Sequence, residues 1–145
     1  MNKDLENFVE RLDSLNPADG ADIVDFLYEL TEEIENIEGV EQVIPNIFEF
    51  IERYPEVDIG SPGPLVHLIE NYYPQYVDYL ISSMKRKPTA NTVWMINRIL
   101  NSKINADERK NYLQLLLQAQ ANEQADHYAR EQAKHFYDYQ VKKGS

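Results

Sequence analysis

Apolar residues recur every three to four positions along almost the whole chain, and that period admits little except α-helix. Across Ala21–Ile37 they are Ile23, Phe26, Leu27, Leu30, Ile34 and Ile37, a single stripe on one helix face. The other face then carries Asp22, Asp25, Glu29, Glu32, Glu33 and Asn36. Asp19 or Asn16-Pro17 supplies a start signal and Gly39 a stop. The stripe resumes with Val40, Val43, Ile44, Ile47, Phe48 and Ile51. Pro45 lies inside it, which predicts a kink or a fresh helix with Pro45 at its first position.

Residues 56–64 hold two glycines and two prolines in their last five positions and read as the clearest loop. A short helix is expected over Leu65–Tyr73, with Leu65, Leu68, Ile69 and Tyr72 inward. Pro74 opens another, with Val77, Leu80, Ile81 and Met84 inward, and Lys85-Arg86-Lys87-Pro88 closes it at the negative end of its dipole. Thr89–Asn101 is apolar nearly all round (Val93, Trp94, Met95, Ile96, Ile99, Leu100), as a buried helix would be. Asp107 is placed to cap a helix carrying Tyr112, Leu113, Leu116 and Leu117 inward. A last helix from about Asn122 to Val141 would turn alanines, Tyr128, Phe136 and Tyr139 inward.

Nothing reads as a strand, so the fold class is all-α, with seven or eight antiparallel helices joined by short loops. Successive pairs can stack as a short HEAT- or armadillo-like α-solenoid, and an orthogonal bundle satisfies the same pattern. At 145 residues the chain suits a single domain over residues 1–143, and Gly144-Ser145 is set aside as a tag remnant. A hydrophobic content of 43% argues against wholesale disorder. The absence of cysteine excludes disulfides, thiol nucleophiles and cysteine-bound zinc. No apolar run is long enough for a leader or a membrane span, so a soluble, cytoplasmic protein is expected.

Charge is the strongest functional signal. The acidic half, residues 1–58, holds 17 acidic and 3 basic side chains; the neutral-to-basic half, 59–143, holds 8 acidic and 11 basic. A field this lopsided repels nucleic acid and anionic lipid from the first half and speeds association with a cationic partner. Candidate partner-binding residues are Asp22, Asp25, Glu29, Glu32 and Glu33, then Glu49 and Glu52 on the next helix, with Tyr28 and Tyr54 as aromatic anchors. Tyr72, Tyr73, Tyr76 and Tyr79 cluster around Pro74 and are interface candidates of the same kind.

Readings that would make the chain an enzyme are weaker. Glu123, His127, Glu131 and His135 step by four along the last helix, but two turns separate the histidines by roughly 12 Å, too far for one ion. Weak pairing along an exposed helix accounts for the ladder. His67, oriented by Glu70 or Asp78, would need a nucleophile that the neighbouring sequence lacks, and it reads as a helix-start histidine bonded to the nearby loop. Ser61 suits a cap better than an attack on a carbonyl. The Gly60–Pro64 loop lacks the lysine and glycine spacing of a phosphate-binding loop. Lys85, Arg86, Lys87, Arg98 and Lys103 form a small basic patch among 25 acids. No catalytic residue, metal, cofactor or nucleic acid is expected.

The segments GSPGPLVH (60–67) and KPTANTVWMINRILN (87–101) resemble those of small helical bacterial immunity proteins from contact-dependent growth inhibition and related polymorphic toxin systems. The resemblance implies an all-α fold and tight, non-catalytic binding of one cognate toxin, often a nuclease, in the producing cell's cytoplasm. A net charge of −11 disfavours self-association, so a monomer or 1:1 complex is expected. A ribonuclease binds a polyanion through a cationic face, which an acidic cap would cover. The alternative is an acidic helical adaptor or nucleic-acid mimic acting on a host nucleic-acid-binding protein.

Overall fold

The computed structural model describes residues 1–17 and 22–144. The described chain is all helical: α1 (Lys3–Ser14), α2 (Ile23–Glu32), a 3-10 turn (Val40–Val43), α3 (Ile44–Arg53), α4 (Gly63–Glu70), α5 (Val77–Arg86), α6 (Ala90–Leu100), α7 (Ala106–Ala119) and α8 (His127–Gly144). Asp19 and Ala21, expected near a helix start, and Ser145 lie outside the described residues. Contacts divide the chain into two compact units, Met1–Tyr79 and Leu80–Ser145. The division lies inside α5, not at the charge switch after Asp58.

In the first unit, α1 arises from a stretch to which the sequence reading assigned no element. Leu5, Phe8 and Leu12 share one buried face, and Asn2 caps the helix by accepting from the Leu5 amide at 3.0 Å. The single helix expected to Ile37 instead ends at Glu32, and turns carry the chain on to Gly39. Leu27, Leu30 and Ile34 are buried, while Ile23, Phe26 and Ile37 are only partly covered. A fresh helix does begin here, but at Ile44, so Pro45 is its second residue and not its first. A 3-10 turn precedes α3, and the proline sits in its first turn, where no amide donor is needed. Packing of α2 on α4, and of α1 on α3 and the 3-10 turn, closes this core around Ile47, Phe48, Phe50 and Ile51.

The loop before α4 depends on Gly60. Its φ is +106°, and an added Cβ would stand 2.4 Å from the Gly63 Cα. Only glycine fits there. Asp58 Oδ1 accepts from the Gly60 amide at 2.9 Å. Ser61 does not cap α4; Pro62 occupies that position without a side-chain bond. Helix α4 stops at Glu70, short of Tyr72, and residues 71–76 form turns, so Pro74 lies in a turn and α5 begins at Val77.

In the second unit, α6 is the buried helix that its composition predicted. Thr89 and Thr92, both fully buried, cap each other's backbone amides. Asn105, not Asp107, caps α7: its Oδ1 accepts from the Glu108 amide at 2.8 Å, and its amide donates to Glu108 Oε1 at 2.6 Å. Leu117, expected inward, is 42% exposed, and Leu115 takes its place in the core.

Helix α8 turns Ala129, Ala133 and Gln140 inward. Tyr128 and Tyr139 face solvent at 59% and 50% exposure, contrary to the expected stripe. Small alanines let α8 lie close against α6 and α7, and large rings would hold it off. Gln140 is fully buried; its Nε2 donates to Asn97 Oδ1 at 2.7 Å and to Asn101 Oδ1 at 2.8 Å. Arg109 donates to the Gln140 carbonyl at 2.7 Å and to the Leu100 carbonyl at 3.4 Å, so one polar knot joins all three helices.

Candidate functional site

Charge follows the two structural units more closely than it follows the halves of the sequence. Met1–Tyr79 holds 19 acidic and 3 basic side chains, net −16; Leu80–Ser145 holds 6 acidic and 11 basic, net +5. Residues 59–79 add Glu70 and Asp78 to the acidic unit and no lysine or arginine.

Within that unit, α2 presents its acids on rigid backbone. Asp25, Glu29 and Glu32 follow three- and four-residue steps on the face opposite Leu27, Leu30 and Thr31, and all three are exposed. Asp22 is the N-cap, accepting from the Asp25 amide at 3.3 Å. Two carboxylates therefore meet in the first turn. The Asp25 pKa lies above its ordinary 3.8, first because of the charge on Asp22, then their hydrogen bond, slight desolvation and Glu29. Crowded acids of this kind gain from an approaching cation. Tyr28, 43% exposed, stands on the same helix between Asp25 at i−3 and Glu32 at i+4.

The remaining candidates are placed differently. Glu33 is already paired: Arg11 Nη1 on α1 lies 2.6 Å from its Oε2. Glu49 and Glu52 belong to a different helix, α3, whose main packing partners are α1 and the 3-10 turn. Glu49 is exposed and Glu52 half-buried. Tyr54 is also half-buried; its ring packs on Phe50 at 5.4 Å and lies under Arg53 at 5.8 Å. Tyr54 is thus occupied as a support, while Tyr28 stays open. Of the tyrosines around Pro74, Tyr76 is buried, Tyr72 half-buried, and Tyr73 and Tyr79 are 50% and 44% exposed.

Sequence reasoning missed the two arginines that stitch this surface. Arg11 pairs with Glu33 and lies 5.6 Å from the Phe26 ring centre. Arg53 reaches Asp13 at 3.5 Å and covers both Phe50 and Tyr54. Their sequence signal was only that each is a lone cation in an acidic stretch.

The catalytic readings gain no geometric support. His67 is exposed on α4. His127 Nε2 meets Glu131 Oε1 at 2.9 Å, both well exposed, and Glu123 precedes α8 and is off the helical ladder. Among the described residues, no group of three or more His, Asp and Glu side chains is placed to hold a metal ion. A shallow groove of about 310 Å³ in the second unit is lined by Ala106, Arg109, Lys110, Leu113, Gln114 and Tyr137. Its arginine is already engaged by the carbonyls of Leu100 and Gln140. No described helix is long and apolar enough to cross a membrane. Comparisons of the chain with protein-family models, curated proteins and solved structures find no match.

Proposed function

We propose that this protein is an immunity protein: it binds a cognate cationic toxin domain, a ribonuclease by preference, and neutralises it by covering the basic active face. The observation that carries the reading is the segregation of charge by structural unit, net −16 against net +5, with the acids of α2 on an exposed face of a well-packed helix. Carboxylates on rigid elements beside an exposed tyrosine supply what a basic protein face needs: steering at long range and aromatic area at contact. The resemblance of residues 60–67 and 87–101 to helical immunity proteins supports the same reading and implies action in the toxin producer's cytoplasm.

The test is a search for a basic toxin domain among the open reading frames next to this gene, followed by its binding to the native chain and to the Asp25→Lys/Glu29→Lys variant. Both positions are exposed, so helical circular dichroism should be unchanged. The reversal should weaken binding at least ten-fold at low salt, and by much less at 0.5 M, where the screening length falls to about 4 Å. Equal affinities would remove the α2 face from the mechanism. Capture of a housekeeping nucleic-acid-binding protein instead would favour the adaptor or mimic.

A further inference from the structure

The acidic unit handles its own arginines in one consistent way. Arg11, presented to the α2 region by α1, sits between a carboxylate, Glu33 at 2.6 Å, and an aromatic face, Phe26 at 5.6 Å. Arg53 sits between Asp13 at 3.5 Å and the rings of Phe50 and Tyr54. Each seat combines charge with a π-face. A planar, weakly hydrated guanidinium uses both, whereas a compact ammonium gains mainly from the charge.

A third set of the same parts stands on the outer side of α2. Tyr28 is 43% exposed, and helical spacing puts Asp25 and Glu32 beside it, one on either side along the axis. We infer that Asp25, Tyr28 and Glu32 form a docking seat for an arginine side chain of the partner. The proposal rests on the immunity reading for the existence of a cationic partner, and it adds which cation the surface selects. Charge complementarity identifies the occupant, since this unit has 19 acids and 3 cations of its own. The ring sets arginine above lysine.

The test uses the full chain, isotope-labelled for NMR, and two blocked hexapeptides, one alternating arginine with glycine and the other lysine with glycine. At low salt, amide shifts should centre on residues 25–32, with the arginine peptide binding about two- to five-fold tighter. Tyr28→Leu should bring that ratio to about one while leaving lysine-peptide affinity within two-fold. Tyr128→Leu, in the other unit, should leave the ratio unchanged. Shifts on α2 with equal affinities for the two peptides would overturn the arginine seat but leave the acidic surface standing. No shift on α2 with either peptide would overturn both.

Discussion

Replacing Gln140 by methionine probes the knot that joins α6, α7 and α8. The two side chains have similar length and volume, so the change leaves little cavity and isolates the polar term. Gln140 is fully buried and its amide makes two short bonds. Their loss is not symmetrical. Asn101 is exposed and keeps Lys143 Nζ at 3.1 Å, so water and that ammonium replace the missing donor at little cost. Asn97 is only 7% exposed, and its Oδ1 would be left buried without this donor. An orphaned buried acceptor costs about 1–3 kcal/mol; Arg109 loses its long bond to Gln140 Oε1 at 3.4 Å but keeps the backbone carbonyls of Gln140 and Leu100. The expected loss is therefore about 2 kcal/mol. With a urea slope of about 1.5 kcal/mol/M, the midpoint falls by about 1.3 M. The chain's single tryptophan, Trp94, lies on α6 and reports this unit's unfolding by fluorescence. Adding Asn97→Leu removes the orphaned acceptor, so the double variant should regain about 1 kcal/mol or more over Gln140→Met alone. A midpoint unchanged in Gln140→Met, or additive losses in the double variant, would refute the account of the knot.

Three further outcomes are expected. Thr89→Ala removes the buried cap of α6 and should cost about 1–2 kcal/mol by urea unfolding; a loss under about 0.3 kcal/mol would show that Thr92 holds the helix start alone. Gly60→Ala should cost about 2–4 kcal/mol, because its Cβ meets the Gly63 backbone at 2.4 Å and its φ is positive; a neutral result would contradict the loop geometry. The folded-state pKa of Asp25 is raised above 3.8, so the native chain takes up this proton at a higher pH than the unfolded chain. Through this group, stability falls as pH rises across the interval from 3.8 to the raised value, and its unfavourable contribution is complete above that interval. A bound cation should pull the pKa back down. NMR titration should also find the Asp25 midpoint moving towards 3.8 in Asp22→Asn, which keeps an N-cap but removes the charge; an unmoved midpoint would refute the coupling.

Much of the architecture was legible because hydrophobic spacing reports the face a helix buries. Leu27 and Leu30 on α2, Ile34 in the turn after it, and Ile47, Phe48 and Ile51 on α3 were readable in that way. Leu5, Phe8 and Leu12 carry the same signal for α1, and steps of three and four could have found it. Caps were harder, because Asn105 and Asp107 are both good N-cap residues and the structure uses the one with glutamate three positions on. The reading of α8 was right for the alanines, since Ala129 and Ala133 face the core, and wrong for the large rings: Tyr128 and Tyr139 face water. A buried glutamine such as Gln140 leaves no periodic trace, since only its partners on other helices justify burying it. At the candidate surface the acids of α2 were legible from spacing. The difference between an open Tyr28 and an occupied Tyr54 was not, because it depends on where Arg53 and Phe50 fall in space.

The central claim is protection by neutralisation, and one measurement bears on it most directly. Cells would express the basic domain that the native chain captures with an empty vector, with the native chain, or with the Asp25→Lys/Glu29→Lys variant, and growth would be followed. The account predicts that the native chain restores growth and that the variant, folded and equally abundant, restores it poorly. Arrest of growth in the presence of abundant native chain would contradict it.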